Sequence, residues 1–131
     1  MKRIVAVTIT SLVAVTLLGA VPAAASGGDA RSTDVIRTGS CSGSSAWKLK
    51  LSPDHGKIEA DFEVHQAQAN QTWRVRMRHN GNLFFHAARK TDAGGSFDVT
   101  RRVANRSGKD SFLVKATNAS TGEVCRATGS F

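Results

Sequence analysis

Apolar and polar residues alternate along most of this chain, and that alternation constrains its fold more than any other feature. Trp47, Leu49 and Leu51 alternate with Lys48 and Lys50. A period of two places successive side chains on opposite faces of a β-strand, so each such segment is predicted to be a strand with one buried face. The same pattern recurs at residues 58–64, 73–77, 97–103, 112–116 and 125–131. No segment repeats its apolar residues with the period of a helix.

Residues typical of turns separate these segments. Gly, Asn, Asp, Ser and Pro supply the positive φ angles and local hydrogen bonds that turns need. They cluster at residues 52–56, 80–81, 92–95, 105–108 and 118–122. Seven short strands, namely these six segments and the one that follows the turn at residues 80–81, predict an all-β, antiparallel two-sheet sandwich with immunoglobulin-like or fibronectin-III-like topology, and a small closed barrel is the alternative.

The N-terminus has the form of a signal peptide. Lys2 and Arg3 precede an apolar run at residues 4–18, and residues 23–25 are three alanines, the small-x-small pattern that signal peptidase cleaves. A membrane anchor is the alternative, but the run is shorter than the roughly 20 residues that span a bilayer. We therefore predict a signal peptide at residues 1–25, cleavage before Ser26, and a secreted, extracellular protein.

The mature chain is predicted to have two regions. Residues 26–33 are rich in Gly, Ser and Ala, a composition typical of a flexible leader. Residues 34–131 are expected to form one β-sandwich domain, because a mature chain of this size supports one modest core but not two. No second hydrophobic segment follows, so no transmembrane segment is expected after cleavage.

Cys41 and Cys125 are the only cysteines in the sequence. An even number of cysteines in an exported protein favours a disulfide, because oxidising compartments stabilise the bridge; two free thiols are the alternative. A bridge here encloses 83 residues. We expect it to tie the entry of the chain, before the first regular strand, to the last strand.

The outward residues of the first two predicted strands carry opposite charges. A hairpin around residues 53–56 sets the expected pairs. The core pairs are Leu49 with Ala60 and Trp47 with Phe62. The outward pairs are Lys50 with Glu59 and Lys48 with Asp61. This sheet face is therefore expected to neutralise its own charge.

Two topologies place the next strand, residues 73–77, differently. In an immunoglobulin-type order it crosses to the second sheet and joins the last two strands of the domain. The outer face of that sheet then collects five basic residues and no acidic one: Arg74, Arg76, Arg78, Lys115 and Arg126. In a simple meander, the arginines instead pair with Glu59, Asp61 and Glu63 as exposed ion pairs that contribute little. We favour the crossing order, because seven antiparallel strands usually bury their faces as two sheets.

A basic sheet face of this kind predicts an anionic partner. The net charge of +8 falls to +6 when Lys2 and Arg3 are removed with the signal peptide. The planar guanidinium suits phosphate and carboxylate, so an anionic polymer, an anionic lipid headgroup or an acidic protein is expected. Nucleic acid is less favoured, because the chain has no tyrosine and both tryptophans fall at core positions. The alternative is a face of solvated charge that binds nothing.

The turn at residues 80–81 affects this face. A two-residue turn directs Phe84 inward and Phe85 outward beside Arg76, whereas a three-residue turn reverses the two rings. One of the two rings is therefore expected to be exposed.

Catalytic and cofactor motifs are absent from the sequence. The histidines have no local carboxylate and nucleophile arranged about them. Asp61, Glu63 and His65 alternate along one strand at steps of about 6.7 Å, too far apart to share a metal ion. We therefore predict no enzymatic activity, cofactor or metal. The protein is interpreted as a binding module for an anionic extracellular or cell-envelope partner, or alternatively as an interaction or inhibitor-like module acting through its loops.

Three segments carry a resemblance to a known group of proteins. They are residues 41–50 (CSGSSAWKLK), 72–75 (TWRV) and 122–125 (GEVC). Together they resemble small exported β-sandwich proteins of high-GC Gram-positive bacteria, over most of the mature domain. The resemblance implies export and brings no catalytic residue with it. Enediyne-binding apoproteins and the proteinaceous protease and amylase inhibitors fit worse, because they typically carry two disulfides.

Overall fold

The computed structural model describes residues 33–131, which form eight β-strands. The strands are β1 (Val35–Ser40), β2 (Ala46–Asp54), β3 (Lys57–His65), β4 (Thr72–His79), β5 (Asn82–Lys90), β6 (Phe97–Ala104), β7 (Ser111–Asn118) and β8 (Val124–Ser130). They form two antiparallel sheets of four strands each, so the predicted all-β, two-sheet architecture is confirmed. Residues 33–131 contain no helix long and apolar enough to cross a membrane. The predicted signal peptide (1–25) and all but the last residue of the predicted leader (26–33) lie outside the described residues.

Three connections carry the chain from one sheet to the other. The first sheet has the strand order β1-β2-β3-β6, and the second has the order β5-β4-β7-β8. The chain crosses from β3 to β4, returns from β5 to β6, and crosses again from β6 to β7. Since β3 and β4 lie in different sheets, the crossing order is the one the protein has, and the meander alternative is wrong.

The core lies between the two sheets and is built from the inward residues of each strand. The largest fully buried apolar side chains are Trp73, Phe62, Leu49, Leu51, Ile58, Met77, Val64, Val75 and Val114. Phe97 of β6 joins the two layers. Its ring centroid lies 6.4 Å from that of Phe62 in the first sheet and 6.0 Å from that of Trp73 in the second. Aromatic pairs at such separations add about 0.5–1.5 kcal/mol beyond their area burial.

The prediction of seven strands was wrong by one, because β1 has no apolar alternation to reveal it. The residues of β1 that pair with the inward residues of β2 are Val35, Arg37 and Gly39. Gly39 is required by the tryptophan beside it, since a Cβ there would lie 2.6 Å from the indole ring of Trp47. Cys41 consequently follows the first strand instead of preceding it.

The register of the β2–β3 hairpin also differs from the prediction. The turn contains only His55 and Gly56, whose φ angles of 48° and 81° are typical of a two-residue hairpin turn. Each strand is therefore longer than expected, and every pair shifts by two residues. The core pairs are Leu49 with Phe62, Leu51 with Ala60 and Trp47 with Val64. The outward pairs are Lys50 with Asp61 and Lys48 with Glu63. A shift of two keeps each side chain on its predicted face.

The loop that carries the chain from β3 to β4 is held by the segment between β5 and β6. The buried Thr91 hydroxyl donates to the carbonyl of Gln68 at 2.6 Å and accepts from the backbone N–H of Gln71 at 2.9 Å. Gly95 packs directly on the same loop, where a Cβ would lie 1.9 Å from the carbonyl oxygen of Ala67. These contacts determine the position at which the chain enters the second sheet.

The predicted disulfide between Cys41 and Cys125 is confirmed, with the two Cα atoms 4.2 Å apart. It joins the β1–β2 loop to β8 and therefore links the two sheets. Backbone contacts strengthen the same junction. The N–H of Ser42 donates to the carbonyl of Val124 at 2.8 Å, and the N–H of Val124 donates to the Ser42 hydroxyl at 2.9 Å.

Replacing both cysteines with alanine is expected to lower the free energy of unfolding by about 4–5 kcal/mol, because the bridge restricts a long loop in the unfolded chain. Urea unfolding followed by tryptophan fluorescence measures this. The reduced wild-type protein is the matched control and should unfold at the same urea concentration as the double variant. A loss below about 1 kcal/mol would show that the bridge contributes little to stability.

Candidate binding face and loop pocket

The outer surface of the second sheet carries the five basic residues predicted for it. We call them the basic face: Arg74, Arg76, Arg78, Lys115 and Arg126. Along β4 the alternate residues Trp73, Val75 and Met77 are buried, so the arginines point away from the core. Lys115 and Arg126 lie between buried residues of β7 and β8 in the same way.

The strand register brings basic residues into one row across the sheet. Arg76 of β4 pairs with Lys115 of β7, and Lys115 pairs with Arg126 of β8. On the other side, Arg76 pairs with His86 of β5. Neighbouring strands lie about 4.8 Å apart, so the row crosses the whole sheet from edge to edge. Like charges placed directly opposite each other in a sheet are destabilising.

No acidic residue offsets this charge on the outer face of the second sheet. None of the outward positions of β4, β5, β7 and β8 is Asp or Glu, and Lys90 of β5 adds a further positive charge. Within residues 33–131, no residue of the basic face forms an ion pair. Arg78 donates from Nη1 to the carbonyl of Gly81 at 3.2 Å.

Two shallow recesses lie on this surface, and Arg76 lines both of them. The first has a volume of about 410 Å³ and is lined by Thr72, Arg74, Val75, Arg76, His86, Ala87, Ala88 and Ala119. The second has a volume of about 280 Å³ and is lined by Arg76, Arg78, Leu113, Lys115 and Arg126. The surface therefore contains two recesses lined by cationic side chains, and Arg76 belongs to both.

The outer face of the first sheet pairs its charges instead. Arg102 contacts the carboxylates of Asp54 and Glu59, the latter at 2.6 Å, and Lys50 contacts Asp34 at 3.3 Å. The hydrogen bond with His55, and then the one from Arg102, hold the pKa of Asp54 below its ordinary value. A lowered carboxyl pKa stabilises the fold at neutral pH, and that contribution is lost as the pH falls through the lowered pKa.

The bulge in β5 changes the expected placement of the two phenylalanines. The turn at 80–81 has two residues, but the register shifts so that Phe85 pairs with Met77 and Leu83 pairs with Arg78. Phe84 is the extra residue, and both rings are half-buried against the core. The prediction that one ring is exposed beside Arg76 was therefore wrong.

A polar pocket of about 360 Å³ lies at the end of the sandwich that carries the disulfide. Its lining comes from the end of β7 and from the β1–β2, β3–β4 and β7–β8 connections: Ser42, Gly43, Ser44, Ser45, Gln68, Gln71, Asn118, Thr121, Gly122 and Glu123. We call it the loop pocket. The lining contains one carboxylate and no basic or aromatic side chain, so it presents mainly hydroxyl and amide groups.

Hydrogen bonds hold the lining of the loop pocket in place. Glu123 accepts from the N–H of Ser45 at 3.1 Å and from its hydroxyl at 2.7 Å. The buried Asn118 side chain donates to Gln71 Oε1 at 2.5 Å and accepts from the backbone N–H groups of Ser120 and Thr121. These side chains lie far apart in the sequence, so no local motif marks the pocket.

A buried pair, His79 and Asp110, lies at the opposite end of the sandwich. His79 Nε2 lies 2.5 Å from Asp110 Oδ1, and the imidazole stacks on Phe112 with the ring centroids 4.9 Å apart. Asp110 also exchanges backbone hydrogen bonds with Phe131. In residues 33–131, no serine, threonine or cysteine side chain hydrogen-bonds to His79. We interpret the pair as a structural link between strand ends.

This pair was not predicted from the sequence. The alternation along β4 indicates that His79 is buried, but no pattern indicates Asp110. His79 has the same parity as Trp73 and Met77, which predicts an inward side chain. Asp110 lies in a polar connection and has no local signal. In the described part of the chain, no group of three or more His, Cys, Asp or Glu residues is arranged to hold a metal ion.

Comparisons with known proteins found no matching family model, no matching curated protein and no matching solved structure.

Replacing His79 with Phe is expected to lower the free energy of unfolding by about 1–3 kcal/mol, because a phenyl ring keeps the stacking but removes the hydrogen bond between the imidazole and the buried Asp110 carboxyl group. Urea unfolding measures the change. Asp110→Asn is the matched control. It keeps a polar group against His79 without the charge, and we expect a smaller loss. Equal and small losses in both variants would contradict the assignment of the pair as a structural link.

Proposed function

We propose that this protein is a secreted, non-enzymatic binding module whose basic face holds an anionic partner of the extracellular space or cell envelope. One observation carries the proposal. Arg76, Lys115 and Arg126 lie directly opposite one another on three neighbouring strands, with no acidic residue among them. Such a row reduces the stability of the free protein, and an anion bound across it removes the repulsion.

Guanidinium groups make up four of the five charges of the basic face. Each offers a planar set of donors that matches the oxygens of phosphate or carboxylate. An anionic polymer, an anionic lipid headgroup and an acidic protein all present such oxygens. Nucleic acid has less support, because the outward residues of the four strands include no tryptophan, tyrosine or phenylalanine on which bases could stack.

The proposed fold type is fibronectin-III-like. The strand order β2-β3-β6 opposite β5-β4-β7-β8 supports it, because it corresponds to the three-strand and four-strand sheets of that topology. In this interpretation, β1 is an additional edge strand beside β2. The proposed export, with removal of residues 1–25, is supported by the disulfide, since such bonds persist in oxidising compartments.

The loop pocket favours a second candidate function. It lies where three connections meet and is rigidly hydrogen-bonded, and binding residues are often found on loops held by a rigid scaffold. An interaction or inhibitor-like module would use this end of the sandwich and would not depend on the arginines.

Replacing Arg74, Arg76 and Arg78 together with Gln is expected to lower the salt concentration that elutes the protein from phosphocellulose. The slope of log affinity against log salt concentration should fall by up to about three, because three cationic contacts are removed. The matched control is Lys57→Gln, Arg106→Gln and Lys109→Gln, an equal loss of charge at exposed positions off the basic face. If the two triple variants elute at the same salt concentration, the proposed function is wrong.

The second candidate function predicts inhibition of an extracellular hydrolase. We expect Ser44→Trp, which introduces a bulky ring at an exposed position of the loop pocket, to abolish that inhibition, whereas the triple arginine variant retains it. A panel of secreted proteases and glycosidases measures both. If no enzyme in the panel is inhibited by the wild-type protein, the inhibitor-like role is not supported.

A further inference from the structure

We infer that the partner of the basic face is a linear phosphate polymer that occupies both recesses at once, with Arg76 contacting it in each. The inference rests on the proposed function and specifies its ligand. The shared chemistry is a chain of phosphate groups, supplied either by condensed polyphosphate or by a phosphodiester polymer.

Arg76 lines both recesses, and this favours a ligand with several anionic groups. Arg74, Arg76 and His86 line the first recess, and Arg76, Arg78, Lys115 and Arg126 line the second. A single small anion binds in one recess and leaves the other cations of the face unpaired. A chain that carries anions into both recesses neutralises the whole face, and the five N–H donors of one guanidinium allow Arg76 to serve both.

Charge density favours phosphate over a carboxylate chain. Four cationic side chains line the second recess. Three of them, Arg76, Lys115 and Arg126, lie opposite one another on neighbouring strands, and neighbouring strands are about 4.8 Å apart. An extended acidic peptide presents carboxylates on one side only at every second residue, about 6.7 Å apart. Condensed polyphosphate matches the row better, because its phosphates share bridging oxygens and therefore place their charges closer together than the carboxylates of a peptide. In a phosphodiester polymer the intervening alcohol spaces the phosphates more widely, so condensed polyphosphate is the better match of the two.

The borders of the face are consistent with a chain that passes across it. The row reaches His86 on β5 and Arg126 on β8, the two edge strands of the sheet, so no further strand blocks either end. Small residues surround the first recess, among them Ala88 and Ala119. A bilayer is a poorer occupant, because membrane-surface proteins usually insert aromatic or large apolar side chains, and the large apolar residues at these strand positions are only Leu83 and Leu113.

Isothermal titration calorimetry with ligands of increasing length tests the inference. The probes are inorganic phosphate, tripolyphosphate, long-chain polyphosphate, a glycerol phosphodiester polymer, polyglutamate and vesicles of phosphatidylglycerol. We expect affinity per phosphate to rise by about tenfold or more from inorganic phosphate to a chain that spans both recesses, as for linked binding groups. Either phosphate polymer giving this rise supports the inference and identifies its source.

Three single variants separate the shared arginine from the rest. Arg76→Gln should remove most of the length dependence, because it acts on both recesses, whereas Arg126→Gln should weaken binding and retain that dependence. Arg106→Gln, which changes an exposed loop residue off the face, should bind as the wild type does. Equal behaviour of the variants at 76 and 126 would overturn the shared contact.

The remaining outcomes distinguish the inference from the function on which it rests. If polyglutamate binds as tightly as polyphosphate, or if only the vesicles bind, the phosphate polymer is wrong and anion binding by the basic face stands. If no probe binds better to the wild type than to the triple arginine variant, both are wrong.

Discussion

Burial of two apolar sheet faces against each other is the constraint on which the rest of this molecule depends. In this protein β3 and β4 lie in different sheets although they follow each other in the chain. Their outward residues are acidic on β3 and basic on β4, so the crossing that forms the core also separates the charges. In a meander the same residues would neutralise one another, and no basic face would exist.

The side of the sheet on which most side chains lie was predictable, because the period of two depends only on the strand and not on its partners. Pairings were less predictable. The β2–β3 register depends on two consecutive positive φ angles at His55 and Gly56, and the orientation of Phe84 depends on a bulge. β1 was not predicted because its inward residues include an arginine and a glycine, and the glycine is required by contact with Trp47.

The two candidate sites differ in how much of them is local in the sequence. The basic face follows from the alternation along β4, β7 and β8 once the sheet order is known, and the sequence left that order open between a crossing arrangement and a meander. The loop pocket combines three connections that meet only in the folded chain. Glu123 accepts a hydrogen bond from Ser45, which lies 78 residues earlier in the sequence. Long-range contacts of this kind have no spacing pattern to reveal them.

The edge strands β5 and β6 lie on the same side of the sandwich, and their inward-facing side chains affect whether another chain could pair with them. Phe85 lies there with the guanidinium carbons of Arg89 and Arg101 at 5.4 and 4.2 Å from its ring centroid. Both arginines face inward, since Arg89 of β5 pairs with the buried Trp73 and Arg101 of β6 pairs with the buried Ala60. Since burying unpaired charge is costly, inward-facing charged side chains on edge strands disfavour pairing with a strand of another chain.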